Sequence, residues 1–93
     1  MSVAVKEVQT TPNPNAAKFI LDRKIAEQSI SFFNAAQAAG HPVAARLFEI
    51  NGVSNVMFLG DFVTIGKRPE ANWTRIKSEV VSVLSSADVF AST

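Results

Sequence analysis

The side chains that could carry chemistry in this sequence are few and widely scattered. The chain has no cysteine and one histidine, His41, which excludes a disulfide, a thiolate-bound metal centre and a multi-histidine metal site within this chain. Its eight carboxylates show no spacing typical of a paired acid and base or of a calcium loop. We therefore predict no catalytic residue, no metal site and no cofactor bound by this chain alone.

His41 is the one side chain whose ordinary titration falls near neutral pH. In one hypothesis it acts with a hydroxyl or a carboxylate in a small hydrolase or ligand-binding site. No second histidine and no obvious serine partner accompany it. We therefore favour the other interpretation, an exposed residue at the start of a helix.

Composition narrows the class of protein further. The formal net charge of +1 argues against strong attraction to nucleic acid or to an acidic membrane. No apolar run approaches the ~20 residues that span a bilayer, and residues 1–10 lack the pattern of a secretory signal. We expect a single cytoplasmic domain over residues 1–93, either a monomer or a weak dimer.

A β-hairpin is the central element that the sequence predicts. Two apolar runs, Val53–Leu59 and Phe62–Ile65, flank the pair Gly60-Asp61. Glycine in the first position of a two-residue loop is typical of a type II′ turn, because that position requires a positive φ. Met57 and Leu59 lie on the opposite side of their strand from Val56 and Phe58. If helices cover one face of the sheet, one of these pairs is an exposed apolar patch and a candidate contact surface.

Further elements are predicted on both sides of the hairpin. Alternating or β-branched residues indicate a strand pair over Val3–Thr10 and Lys18–Asp22, a polar connection over Arg23–Gln28 and an optional short strand over Ser29–Phe33. Cap residues and apolar periodicity indicate helices over Asn34–Gly40, from Pro42 to Ile50, and from Trp73 through Ile76, Val80, Leu84 and Ala87 after an Asn72 cap. The order β-β-α-β-β-α predicts an α+β two-layer sandwich, with an antiparallel sheet of about four strands and helices on one face.

The segment Thr11-Pro12-Asn13-Pro14-Asn15, called the TPNPN loop below, is predicted to be stiff. Each proline fixes its own φ and keeps the preceding residue out of the α region, and the asparagine side chains can bond the nearby backbone. The loop is interpreted either as a rigid connector between two strands or as a preformed surface for a partner, since a stiff loop loses little entropy on binding.

A small basic patch follows the hairpin. It consists of Lys67, Arg68, Arg75 and Lys77. We interpret it as a solvated edge, because exposed basic residues are common and individually contribute little to stability. Contact with an acidic partner surface is the alternative.

The spacing of several of these residues resembles the N-terminal domain of Nfu-type (NifU-related) iron–sulfur cluster scaffold proteins. The resemblance covers nearly the whole chain. It is carried by the TPNPN loop followed by Lys18-Phe19, by the block LF-x-I-x-GV-x-x-V-x-F-x-G-DF-x-T from Leu47 to Thr64, and by Pro42, Ala44, Lys67 and Trp73. His41 departs from the serine that we expect before the proline.

What the resemblance implies is an accessory role. Complete Nfu proteins hold their cluster on a second domain with a Cys-x-x-Cys pair, and this chain has no cysteine. We expect a stand-alone, non-catalytic interaction module that docks onto a cluster carrier or recipient and meets the iron–sulfur cluster only through that partner. The alternative is a small self-associating or ligand-binding domain of unrelated role. The predicted partner-binding residues are Thr11, Pro12, Asn13, Pro14, Asn15, Met57, Leu59, Gly60 and Asp61.

Overall fold

Five strands and three helices are formed by residues 4–86, the part of the chain that this computed structural model describes. In chain order they are β1 (Val5–Thr10), β2 (Ala16–Leu21), β3 (Ala26–Phe32), α1 (Ala35–Ala38), α2 (Pro42–Phe48), β4 (Val53–Gly60), β5 (Phe62–Lys67) and α3 (Trp73–Ser86). Val3 and Ala87, which were predicted to belong to the first strand and the last helix, lie outside the described residues.

The predicted hairpin is confirmed as β4 and β5. Leu59 pairs with Phe62 across the two-residue turn, and Gly60 has a φ of +57°. No other type of residue between 4 and 86 has a positive φ, so Asp61 keeps a negative one. This combination of signs is that of the predicted type II′ turn.

The described sheet has five antiparallel strands in the order β1-β2-β5-β4-β3, and the expected number of about four was too low. The predicted pair of β1 and β2 is confirmed. The additional strand is β3, which was predicted from the sequence only as an optional short strand. It begins earlier than expected, at Ala26, inside the predicted polar connection. β3 lies at the edge of the sheet, where a strand pairs on one side only and often carries exposed polar side chains. The amino-acid composition of such a strand resembles that of a loop. Here five of its seven residues are exposed.

The core lies between one sheet face and the helices. Alternate residues of β2 and β5, among them Phe19 and Val63, are fully buried there, as expected for strands with one covered face. The predicted apolar stripe of α3 is buried against them through Ile76, Val80 and Leu84, and α2 adds Val43, Ala44 and Leu47. The predicted caps are also found: Asn34 accepts from the Gln37 N–H at 2.8 Å, and Asn72 accepts from the Thr74 N–H at 2.7 Å.

Gly52 connects α2 to β4 in a conformation that only glycine adopts easily. Its φ is +102°, and a Cβ placed there would lie 2.6 Å from Ala71 Cβ. We expect Gly52→Ala to lower the free energy of unfolding by about 2 kcal/mol through backbone strain and this overlap. Gly40→Ala is the matched control, because Gly40 has no positive φ and a Cβ there meets nothing within 4 Å. Urea unfolding of both variants measures the difference, and equal stabilities would contradict the prediction.

Candidate functional site

The TPNPN loop joins β1 to β2 and is held by its own side chains. Thr11 Oγ1 accepts from the Asn13 N–H at 3.1 Å, and Asn13 Oδ1 accepts from the Asn15 N–H at 2.9 Å. The Thr11 hydroxyl also lies 2.9 Å from the Asn13 carbonyl oxygen. These bonds are the local side-chain-to-backbone contacts predicted for this segment.

Two side chains from distant parts of the sequence fix this loop to the rest of the fold. Lys67 Nζ donates to Asn15 Oδ1 at 3.0 Å, and Trp73 Nε1 donates to the Pro14 carbonyl oxygen at 2.9 Å. The Lys67 ammonium also lies 3.3 Å from the Arg68 carbonyl oxygen and 5.7 Å from the centre of the Trp73 ring. The loop is therefore attached to both β5 and α3.

The interpretation of the basic patch as a solvated edge was wrong for Lys67. This residue is only 8% exposed, because its ammonium turns inward to Asn15 at the end of the loop and to the carbonyl oxygens of Arg68 and Pro69. Arg68 and Arg75 do lie at the surface, where they pair with Glu70 and Glu79 at 3.7 Å each. In the sequence, Lys67 stands just after the predicted strand Phe62–Ile65. Nothing in the neighbouring residues indicates that its side chain forms a hydrogen bond with Asn15.

Met57 and Leu59 lie on the sheet face opposite the core, as the alternation of β4 predicts. The pairing register places Leu59 beside Phe62, and Phe62 beside Ile20 on the next strand. All four side chains are half-buried. Lys18 joins them, with Nζ 4.2 Å from the centre of the Phe62 ring. We call this surface of Lys18, Ile20, Met57, Leu59 and Phe62 the open face.

The structure brings together only some of the predicted partner-binding residues. The turn of Gly60 and Asp61 adjoins the open face, because it directly connects Leu59 to Phe62. The TPNPN loop lies at the other end of β2, separated from the turn by roughly 17 Å of strand at ~3.4 Å per residue. Ile20 and Phe62 were missed by sequence reasoning. The predicted turn already implied that Phe62 pairs with Leu59, whereas Ile20 comes from a strand distant in sequence.

His41 is not the exposed residue that we expected. It is half-buried and stacked on Phe58 with ring centres 4.8 Å apart. Its ring also forms a T-shaped contact with Phe32, with ring centres 5.6 Å apart. Nδ1 accepts from the Ala44 N–H at 3.2 Å, so the imidazole caps α2 in place of the expected serine. Loss of hydration on burial lowers the pKa of His41 below its ordinary 6.5.

These contacts describe a structural histidine. Aromatic packing and a helix cap account for its position, and the described residues provide no group of three or more His, Asp or Glu side chains that could hold a metal ion. No described helix is long and apolar enough to cross a membrane.

The sequence profile of the family described as scaffold protein Nfu/NifU N terminal matches residues 5–89. The chain belongs to this family. The resemblance read from the TPNPN loop and the Leu47–Thr64 block is thereby confirmed.

Curated relatives carry the same family name. The protein named NFU1 iron-sulfur cluster scaffold homolog, mitochondrial, of Drosophila erecta is 41% identical over 88 residues, which cover 92% of this chain and 30% of that protein. The human protein of the same name is 38% identical, with 92% of this chain and 34% of that protein covered. The chain thus spans about a third of these relatives. Their names state a mitochondrial location, and the cytoplasmic location expected for this chain stays a prediction.

Solved structures agree on the fold. The NifU-like protein of Saccharomyces cerevisiae superposes with a TM-score of 0.76 at 28% identity, over 88% of this chain and 76% of that one. The crystal structure of protein SAV1430 from Staphylococcus aureus gives a TM-score of 0.74 at 21% identity, over 86% of this chain and 96% of that one. The second likeness concerns the fold alone.

The cap made by His41 predicts a specific pH dependence of stability in this Nfu N-terminal domain. Because the folded pKa is lowered, the stabilising neutral form is fully present above the unfolded value of 6.5. As the pH falls below that value the unfolded chain takes up the proton first, so stability is lost. We expect the free energy of unfolding to fall more steeply between about pH 8 and about pH 5 in the unsubstituted chain than in His41→Ser, which keeps a cap but does not titrate.

Urea titrations at several pH values measure this difference, and His41→Ser subtracts the contribution of all other groups. Parallel pH profiles for the two proteins would show that His41 protonation is not linked to folding.

Proposed function

We propose that this chain is a non-catalytic accessory module of iron–sulfur cluster assembly or delivery, which docks onto a protein that carries or receives the cluster. Its relatives are named as cluster scaffolds, and the chain belongs to the N-terminal family of such proteins. Since the chain has no cysteine, the proposal leaves the cluster on the partner, and the contribution of this chain is recognition.

The observation that carries the proposal is the open face. Ile20, Phe62 and Leu59 form a continuous row across three strands, and Met57 extends it along β4. Half-exposed aromatic, methionine and branched aliphatic side chains on one flat surface are typical of the centre of a protein interface. The three helices pack on the other side of the sheet, so a partner reaches this row without displacing a described element.

The rim of the open face is polar, as is typical of protein interfaces. Lys18 reaches over the Phe62 ring, and the Asp61 side chain is exposed at the turn beside Leu59. The Asp61 carbonyl oxygen already accepts a hydrogen bond within the fold, from the Leu21 N–H at 2.7 Å. In the proposal Gly60 and Asp61 therefore contribute shape and charge at the rim.

The TPNPN loop is a second surface of the proposal. Its bonds to Lys67 and Trp73 hold it in one conformation before any partner arrives. Binding a preformed loop costs less conformational entropy than ordering a flexible one. Pro12, Asn13 and Pro14 are exposed and so present the residues that a partner would contact.

The first test is capture of partners under anaerobic conditions from the native cell extract, with the 93-residue chain as bait and mass spectrometry as the readout. We expect iron–sulfur scaffold or recipient proteins, and we expect Met57→Glu to reduce their recovery several-fold by placing a charge in the apolar row. Ser31→Glu is the matched control, because Ser31 pairs with Met57 on the same face but lies exposed on the edge strand.

Two results would contradict this proposal. One is recovery of the same iron–sulfur proteins by Met57→Glu, checked to be folded by its thermal transition. The other is the absence of iron–sulfur proteins from everything that the unsubstituted chain captures.

The loop is tested with the captured partner in a purified binding measurement. Substituting Pro12 and Pro14 together by Ala keeps the backbone carbonyl that receives the Trp73 N–H but loosens the free loop. At roughly 0.5 kcal/mol of added backbone entropy for each proline, we expect about a fivefold weaker Kd. Pro69→Ala, in the exposed connection between β5 and α3, is the control. An unchanged Kd for the double variant would remove the loop from the docking surface.

A further inference from the structure

A groove runs between the TPNPN loop and the start of α3. Its volume is about 340 Å³, which lies within the range of small ligand-binding clefts. Its walls are mainly apolar and come from Pro12, Pro14, Ala16 and Trp73, with threonine and asparagine groups from the loop and Lys77 from α3. None of the residues that line it is acidic.

Lys77 lines this groove, and Lys67 lies close to it, with Nζ 5.7 Å from the centre of the Trp73 ring. These two lysines differ from the neighbouring arginines in how they are paired. Arg68 and Arg75, on the same stretch of chain, each have a carboxylate within 3.7 Å. Lys67 is held by uncharged oxygens alone, at 3.0 Å, 3.3 Å and 3.4 Å. Among residues 4–86, no carboxylate forms an ion pair with Lys67 or with Lys77. The groove thus combines an apolar wall with one positive charge in its lining, Lys77, and a second, buried positive charge, Lys67, close to Trp73. The described part of the fold pairs neither charge with a carboxylate.

The wall is also rigid. The Trp73 indole is oriented by its bond to the Pro14 carbonyl oxygen at 2.9 Å, and the two prolines fix the loop on the other side. An extended segment can therefore lie on the indole and proline rings without ordering the groove first. Carboxylates on that segment would meet the field of Lys67 and Lys77, which is complementary in sign.

We propose that this groove binds an extended segment of a protein partner in which acidic and apolar residues alternate. An apolar side chain packs on Pro12, Pro14 and Trp73, and a carboxylate pairs with Lys77 at the rim. The buried Lys67 charge adds to the attraction while its ammonium stays bonded to Asn15. This inference rests on the proposed function in one respect, that the TPNPN loop serves in docking, and it states the chemistry of what docks there.

The chain offers its own reporter of this binding. Trp73 is the one tryptophan in the sequence, so its indole N–H gives a single nuclear magnetic resonance signal located in the groove. The probe is the hexapeptide acetyl-Leu-Asp-Leu-Glu-Leu-Asp-amide, which is too short to form a stable helix. Its counterpart with Asn and Gln in place of Asp and Glu controls for apolar contact alone.

We expect the acidic peptide to shift the Trp73 indole signal in a saturable way, with a Kd about fivefold tighter than that of the neutral peptide, as expected for exposed ion pairs. Lys77→Glu should abolish this preference. Lys24→Glu makes the same change in net charge at a remote exposed site, where Lys24 pairs with Glu27 at 3.4 Å, and should preserve it. If Lys77→Glu fails to fold, Lys77→Gln and Lys24→Gln make the same comparison.

Three results would overturn the inference. They are equal Kd values for the two peptides, an indole signal that neither peptide shifts at millimolar concentration, and equal weakening by the substitutions at Lys24 and Lys77. The titration uses the isolated chain, so its failure leaves capture of iron–sulfur proteins through the open face standing. Failure of that capture would likewise leave a positive peptide titration standing.

Discussion

The register set by the turn at Gly60 and Asp61 is the constraint on which the rest of the structure depends. With Leu59 opposite Phe62, each following pair of β4 and β5 as far as Asn55 and Gly66 is assigned to one face of the sheet. A slip of β4 by one residue against β5 would move Phe58 out of the core and put Leu59 into it. The positive φ of Gly60 therefore decides at once which residues stabilise the fold and which remain for a partner.

Lys67 ends the last strand of that hairpin and links the sheet to the TPNPN loop. Burying an ammonium is costly unless its protons are bonded, and three oxygens at 3.0–3.4 Å surround it here. Two of these oxygens belong to the backbone of the β5–α3 connection, and the third belongs to Asn15. The Lys67 side chain thus orders the TPNPN loop and also places a positive charge beside that loop. Rigidity and charge at this end of the molecule have one cause.

Sequence reasoning succeeded where the determining contacts are local. The glycine turn, the Asn34 and Asn72 caps and the apolar stripe of α3 each depend on residues a few positions apart, and each was found in the structure. It failed where the partner is distant in sequence. Edge strand β3 is defined by pairing with β4, and Lys67 by a bond to Asn15 across 52 positions. His41 was read as exposed because its aromatic neighbours, Phe32 and Phe58, come from separate strands.

The same distinction explains why the predicted partner-binding residues separate into two surfaces. Met57, Leu59 and the turn share the face without helices, whereas the TPNPN loop is bonded to α3, which packs on the opposite face. Roughly 17 Å of strand β2 lies between the two ends. A single small segment cannot cover both, and occupation of one does not block the other. In the proposed adaptor role, a rigid sheet with two independent contact surfaces suits a module that holds one partner through apolar contact while its loop selects an acidic segment.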